Sequence, residues 1–170
     1  MKKWKAMKYF LLLFLTVSVT ACGFSPVYKA DRGVVPGLAS IEIAAIEDRL
    51  GQQMRGYLID RMGVSGNNVY RLNVRLRKQH EGFGIRADAA ATQEQVTLWA
   101  DFDLVRLSDD KKILSDTLRA RSSFDLVLSD FASLSQREDT ERRLAFELAD
   151  QLQAALSSWL YKQSDATEQP

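Results

Sequence analysis

The sequence predicts a two-layer α/β sandwich, an α+β fold in the order β-α-β-β-β-α. In this fold two helices cover one face of a four-stranded, largely antiparallel or mixed sheet. Several segments alternate apolar with polar residues, as strands do when one face lies on a core. Two other segments repeat apolar residues every three or four positions, as packed helices do. The 148 residues after Cys22 are enough for one such domain, which we place at residues 39–161.

The first strand and the first helix are predicted between residues 40 and 62. Residues 40–46 alternate at first and are rich in β-branched side chains, which favours a short strand. Asp48 is expected to cap the helix that follows, and Gly63 to end it with a positive φ. The apolar face of this helix comprises Leu50, Met54, Tyr57, Leu58 and Met62.

Three further strands are predicted to form an antiparallel meander. Residues 70–77 carry apolar side chains at even positions and mostly arginine at odd positions. Residues 96–104 repeat that alternation, and residues 113–124 show it more weakly. Between the first two of these strands, residues 78–92 contain two glycines and an alanine-rich run, so a long connecting loop is expected there.

The last helix has the strongest pattern in the chain. Ser135 and Glu138 have the spacing of a capping box, which predicts a helix start. The apolar stripe that follows comprises Leu144, Ala145, Leu148, Leu152, Ala155, Leu156, Trp159 and Leu160. This helix is expected to cover the sheet, and the polar residues 162–170 are expected to form a disordered tail.

The N-terminus predicts a cleaved signal peptide at residues 1–21. Four lysines precede an apolar run that is too short to span a bilayer, and Val19-Thr20-Ala21-Cys22 matches a bacterial lipobox. Cys22 would then carry a diacylglycerol thioether and an N-acyl chain such as palmitate, which together anchor a protein stably. Residues 22–38 are expected to form a lipidated tether. Since no Asp follows Cys22, the expected location is the periplasmic side of the outer membrane.

Composition excludes several classes of function. Without the four lysines of the signal peptide, 19 basic residues face 22 acidic ones, which does not favour nucleic-acid binding. The chain has one cysteine and one histidine, His80, which we read as a solvated loop residue. Sets for a catalytic triad, a Cys–His dyad or a zinc site are therefore not expected. No phosphate-binding glycine loop is present. We expect no enzyme activity, no catalytic residues, no metal and no cofactor beyond the lipid on Cys22.

The candidate binding residues lie on the polar faces of the predicted strands. Because arginine can hold phosphates and acidic sugars with paired donors, an outward-facing set could bind an anionic ligand. The alternative is a solvated face on which Asp101 and Asp103 neutralise the arginines. The candidates for contact with an anionic ligand or a protein partner are Arg71, Arg75, Arg77, Trp99, Arg119 and Arg121.

Four stretches carry a resemblance to a known family. They are residues 22–28, residues 46–55, residues 81–92 and residues 132–150. In their order and spacing they resemble the LptE family of lipopolysaccharide (LPS) assembly lipoproteins, most nearly the short form of alphaproteobacteria. The chain departs from the family pattern at Gln93, where an arginine would be expected, and at Phe124, where a tyrosine is usual.

The resemblance implies a function without catalysis. It implies that the lipoprotein is seated as a plug in an outer-membrane β-barrel, LptD, and assists LPS delivery to the cell surface, with direct LPS contact as an open point. The alternative is an accessory lipoprotein of another envelope transporter that carries lipids.

Overall fold

The computed structural model describes residues 37–63, 65–85, 91–127 and 129–168. The expected signal peptide, the lipid-bearing Cys22 and the tether as far as residue 36 lie outside the described residues. So does the alanine-rich part of the expected loop, at residues 86–90. No helix in the described ranges combines the length and the apolar composition that crossing a bilayer requires.

A short strand and a helix open the domain. After a 3₁₀ turn at Leu38–Ser40, strand β1 spans Ile41–Ile43 and helix α1 spans Asp48–Met62. Strand β1 is shorter than expected because its continuation turns toward α1. There the Arg55 guanidinium donates to the carbonyls of Ile43 and Ala44 at 3.1 and 3.2 Å. These bonds satisfy the carbonyl of the last residue of β1 and that of the residue beyond it.

The two ends of α1 differ in how well the sequence predicts them. The expected capping role of Asp48 is wrong: Asp48 is the first helical residue, its φ is +67°, and no side chain caps this end. The Gln52 side chain instead donates to the Ile46 carbonyl at 2.7 Å, which holds the preceding loop against the first turn. At the other end Gly63 has a φ of +74° and its N–H donates to the Ile59 carbonyl, so the expected glycine stop is confirmed.

The remaining strands complete a mixed four-stranded sheet. Strand β2 spans Tyr70–Ile85, β3 spans Ala91–Arg106 and β4 spans Lys111–Asp125, in the spatial order β1-β2-β3-β4. Strand β1 runs parallel to β2, as a helical crossover requires, and β2, β3 and β4 are antiparallel neighbours. The meander and the fold class are therefore confirmed.

The prediction of a long loop over residues 78–92 is wrong, because most of these residues are in strands. Strand β2 continues to Ile85 and β3 begins at Ala91, and the two pair along this extension. The alternation was hidden because the core-facing positions 78, 80 and 82 are Lys, His and Gly instead of apolar residues. Gly84 has a φ of +71° and its carbonyl accepts the Thr92 hydroxyl at 2.6 Å, so the hairpin bends close to its end.

The last helix is longer than expected at both ends. Helix α2 spans Asp130–Glu168, and the Ser129 hydroxyl, 3.4 Å from the Ala132 amide, occupies the position of an N-terminal cap. The capping box at Ser135 is therefore not the helix start. The expected tail is helical as far as Glu168, because no glycine or proline interrupts the chain before Pro170.

One hydrophobic core joins both helices to one face of the sheet. The expected inward positions of β3 are all buried, and so are the leucines in the central stripe of α2 and Met54, Leu58 and Met62 of α1. The helices also contact each other directly, where the rings of Tyr57 and Phe146 stack at 4.5 Å. Among the described residues, no helix covers the opposite face of the sheet.

Candidate functional site

The free face of β2, β3 and β4, which we call the outer face, carries the candidate binding residues. Strand pairing aligns Arg77, Trp99 and Arg119 across three strands in one row. Thr97 and Arg121 form part of the neighbouring row. Because side chains in adjacent strands lie about 5 Å apart, these residues form a continuous surface.

Arg77 is held by Asp101. Its Nε and one of its terminal nitrogens donate to the two carboxylate oxygens at 2.6 and 2.9 Å. The Thr117 hydroxyl donates to the same carboxylate at 2.7 Å. These hydrogen bonds, first from Arg77 and then from Thr117, lower the pKa of Asp101 to about 2. For Arg77, the expected neutralising pair therefore exists.

Asp103 has other partners. It accepts a hydrogen bond from the Asn73 amide at 2.9 Å, and Lys112 lies 3.6 Å away. Arg71 pairs with Glu42 of β1 at 3.4 Å, at the other edge of the sheet. Arg75 is exposed and lowers the pKa of Asp101 only through its charge, without a hydrogen bond. The structure therefore brings both arginines to the outer face: Arg71 is paired at the far edge, and Arg75 lies in the row of Asp101 and Thr117, next to the row of Arg119.

On strand β4, Arg119 and Arg121 are exposed cations of this face, and like Arg75 they have no hydrogen-bond partner among the described residues. Neither makes an ion pair with any of those residues. Trp99 lies beside Arg119 in the sheet, and the Arg77 guanidinium lies 5.5 Å from the Trp99 ring centroid. This is within range of a cation–π contact, so Arg77 partly shields the ring. The outer face is thus neutralised around Arg77 and cationic at β4.

A second polar group lies on the helix side of the sheet and was missed from the sequence. We call it the inner polar cluster: it consists of Lys78, His80, Glu94, Arg137 and Glu141. Arg137 of α2 binds both carboxylate oxygens of Glu94 at 2.5 and 2.6 Å. His80 lies 2.8 Å from Glu94 through one ring nitrogen and 3.1 Å from Glu141 through the other. Lys78 donates to Glu141 at 2.9 Å.

The inner polar cluster is structural in character. Glu94 is 6% exposed and Glu141 is 9% exposed, and buried carboxylates need partners of opposite charge. The Arg137 hydrogen bonds lower the pKa of Glu94, burial opposes the shift, and His80 adds to it. The reading of His80 as a solvated loop residue is wrong, because its position on β2 points it to the core side. The parity of residues 78, 80 and 94 with the core positions was the signal that could have shown this.

Two cavities adjoin these groups. One of about 440 Å³ lies where the first turns of α1 meet α2 above the sheet, and its apolar lining comes from Leu50, Leu76 and Leu98. The other, of about 450 Å³, is lined by Arg75, Asp101 and residues near them on the three long strands, together with Ala45, Glu47 and Asp48 from the β1–α1 connection and the start of α1. Within the described ranges, no group of three or more His, Cys, Asp and Glu side chains could hold a metal ion.

Apolar side chains are exposed near the end of the β2–β3 hairpin. Phe131 is 79% exposed in the first turn of α2, and Leu134 follows it in the same helix. Val127 precedes the helix, and Phe83 lies near the end of β2. No pattern in the sequence marks these four residues as exposed candidates.

The fold recurs in solved bacterial lipoproteins. A protein described as a lipoprotein from Caulobacter crescentus matches with 26% identity and a TM-score of 0.59, over 77% of this chain and 97% of that one. Rare lipoprotein B from Shewanella oneidensis matches with 11% identity and a TM-score of 0.58, over 73% and 98% of the two chains. A minor lipoprotein from Acinetobacter baumannii matches with 19% identity and a TM-score of 0.52, over 69% and 91%. The latter two support the fold alone.

The family itself follows from the sequence match. No curated protein sequence matches the chain. The family model LptE, described as lipopolysaccharide-assembly, matches residues 38–156, which is most of the domain that the structure describes. The match runs from the 3₁₀ turn before β1 to the buried stripe of α2, so it includes every strand of the sheet. The chain therefore belongs to the LptE family of lipopolysaccharide-assembly lipoproteins.

Proposed function

We propose that this protein is an outer-membrane lipoprotein that binds an LptD-type β-barrel as a plug and assists LPS transport to the cell surface. Membership of the LptE family supports the assembly role. The lipobox supports acylation at Cys22, with the domain on the periplasmic side. The protein acts by binding and not by catalysis.

One observation supports direct contact with LPS. The unpaired guanidinium groups of Arg119 and Arg121 lie next to Trp99 on an exposed sheet face. Guanidinium groups bind phosphate with paired, charge-assisted hydrogen bonds, and LPS carries phosphates. An unpaired arginine retains all its donors for such a ligand, whereas Arg77 already uses two on Asp101.

Co-purification tests the partner. The tagged full-length chain would be extracted from its native membranes in detergent, and the proteins recovered with it identified by mass spectrometry. Recovery of an LptD-type barrel supports the proposal. Recovery of a lipid-transport complex without a barrel contradicts it and favours an accessory lipoprotein of another transporter.

Mass spectrometry of the mature N-terminus tests the anchor. We expect Cys22 as the first residue, carrying diacylglycerol and an N-acyl chain. The variant Cys22→Ser should carry no lipid, and its signal peptide should not be cleaved by the lipoprotein pathway. An unmodified Cys22 in the mature wild-type protein would contradict the anchor.

LPS binding tests the arginines. The double change Arg119→Ser with Arg121→Ser should weaken LPS binding by the purified chain more than Arg71→Ser does, because Arg71 is paired with Glu42. Equal binding by all three proteins would show that the outer-face arginines are only solvated.

A further inference from the structure

Strand β4 forms one edge of the sheet along its whole length. It pairs with β3 on one side, and no described strand pairs with its other side. The strand spans fifteen residues and contains no glycine or proline that would interrupt pairing. Long edges pair readily with another strand, and charged side chains on them restrict which strand can pair.

The direction of the backbone groups follows from one hydrogen bond. The Leu126 N–H donates to the Thr92 carbonyl at 2.8 Å, just beyond the last paired residues of β4. In an antiparallel pair, residues alternate between facing the partner strand and facing away from it. Even-numbered residues from 116 to 126 therefore face β3. The residues that present free N–H and C=O groups at the edge are Ser115, Thr117, Arg119, Arg121, Ser123 and Asp125.

These same residues place their side chains on the outer face, and all of them are exposed. Arg119 and Arg121 are two residues apart, so their side chains are about 7 Å apart along the edge. Ala120 between them faces the core side and is 4% exposed. The edge thus offers backbone pairing together with two unpaired positive charges on one face.

We propose that the free edge of β4 binds an extended segment of a protein partner, which adds a fifth strand and carries acidic side chains opposite Arg119 and Arg121. The acidic residues stand at positions i and i+2 of the segment, and a small apolar residue separates them beside Ala120. Backbone hydrogen bonds hold such a strand, and the side-chain pattern selects it. This assignment rests on strand geometry and charge, and it does not require the proposed function.

A second copy of this chain fits the edge less well. Antiparallel pairing of two β4 strands centred on Arg119, or on Arg121, would bring like charges face to face, which destabilises a sheet. Acidic side chains at those positions instead form cross-strand ion pairs. The charges on this edge therefore favour an acidic partner strand over a second copy of β4.

Peptide binding tests the proposal. The probe is a capped synthetic peptide of alternating glutamate and valine, titrated into the full-length chain in detergent micelles and followed by NMR of the backbone amides. The largest shifts are expected at the odd-numbered amides from 117 to 123. In an antiparallel pairing, the glutamates opposite Arg119 and Arg121 turn their N–H groups toward β4. A peptide with lysine in place of glutamate, and one that is N-methylated at its glutamates, should each bind at least several-fold more weakly.

Two pairs of variants separate charge from backbone pairing. Arg119→Ser with Arg121→Ser should weaken binding of the glutamate peptide about threefold to fivefold, as loss of two cross-strand ion pairs does. The matched control removes two exposed arginines away from this edge, Arg49→Ser with Arg75→Ser, and should leave binding unchanged. Ser123→Pro removes an outward N–H and should weaken binding while the fold is retained.

The outcomes that overturn the proposal are specific. They are absence of peptide binding, equal binding of the lysine peptide, and insensitivity to N-methylation. Concentration-dependent dimerisation that Ser123→Pro abolishes would assign the edge to a second copy instead. Ser122→Pro serves as the check on backbone direction. The N–H of Ser122 faces β3, so its loss should lower the thermal unfolding midpoint, whereas Ser123→Pro should not.

Discussion

Glu94 illustrates how a single buried charge is stabilised in this protein. Its carboxylate accepts two hydrogen bonds from Arg137 and lies 2.8 Å from a ring nitrogen of His80. These partners keep it ionised although it is buried. Arg137 lies in the second turn of α2, whereas Glu94 lies near the start of β3. The pair therefore fixes the beginning of the helix to the hairpin end of the sheet.

The substitution Glu94→Gln should lower the free energy of unfolding by about 1–3 kcal/mol at neutral pH, because Arg137 loses its charged partner. The sign of the pH dependence follows from the lowered pKa of Glu94. The stabilisation is complete above the ordinary value of 4.5 and is lost as the pH falls through the lower folded-state pKa. Urea unfolding at several pH values measures this.

The matched control for this prediction is Glu138→Gln, an exposed carboxylate one residue from Arg137. Its effect should stay within about 0.5 kcal/mol at all pH values. If the difference in free energy of unfolding between the wild-type protein and Glu94→Gln did not shrink in acid, the assigned role of the carboxylate would be contradicted.

Asp101 provides a direct electrostatic test on the outer face. Its pKa should be about 2 in an NMR titration of the side-chain carboxyl. Arg77→Met should raise that pKa toward the ordinary value of 3.8, because Arg77 is the main cause of the shift. Arg75→Met should raise it less, since Arg75 acts only through its charge. Equal effects of the two substitutions would mean that the Arg77 hydrogen bonds are absent in solution.

At the scale of elements, helix α1 contains two glycines in opposite surroundings. A Cβ at Gly56 would meet no atom within 4 Å, so Gly56→Ala should stabilise the protein by about 0.5–1 kcal/mol through helix propensity. A Cβ at Gly51 would lie 2.6 Å from the Ile46 side chain and 3.0 Å from its backbone. Gly51→Ala should therefore destabilise the protein, because the β1–α1 loop must move.

Thermal unfolding of the two glycine variants measures this contrast. Each substitution adds the same methyl group to the same helix, so each serves as the control for the other. Two shifts of the same sign would show that α1 does not pack against the preceding loop as closely as the structure indicates.

Strands β3 and β2 differ in how well their sequence patterns predict them. Strand β3 was predicted on its correct face because Val96, Leu98 and Ala100 alternate with polar residues and all lie on the core. The end of β2 was misread because Lys78 and His80 replace apolar residues at inward positions. Their charges are satisfied by Glu94 and Glu141, which are distant in sequence, and no local pattern reveals such partners.

At the scale of the whole molecule, the sheet separates two environments. One face is covered by α1 and α2 and contains the hydrophobic core together with the inner polar cluster. No described helix or strand covers the other face or the edge of β4, where Arg119 and Arg121 lie. A binding function can therefore change on the outer face without disturbing the core.

A single core predicts cooperative unfolding. Leu148 lies on α2 and is fully buried in the core. Leu148→Ala should therefore lower the free energy of unfolding by about 2–5 kcal/mol. Leu134→Ala, at a position that is 48% exposed, should change it by less than about 0.5 kcal/mol. Circular dichroism and tryptophan fluorescence should give the same transition in urea. Separate transitions would show that the helices and the sheet are not one unit.

The sequence by itself determined the fold class, the strand and helix faces, and the family resemblance. These depend on local periodicity and on the order of short motifs, which are written along the chain. It also identified the outer-face arginines as candidates, but it left their pairing open. Only the tertiary structure decided that Asp101 neutralises Arg77, while Arg119 and Arg121 have no partner among the described residues and lie on an edge that no described strand pairs with. The reason is that ion pairs and strand edges depend on register between distant segments, and register is fixed only when the whole sheet packs against its helices.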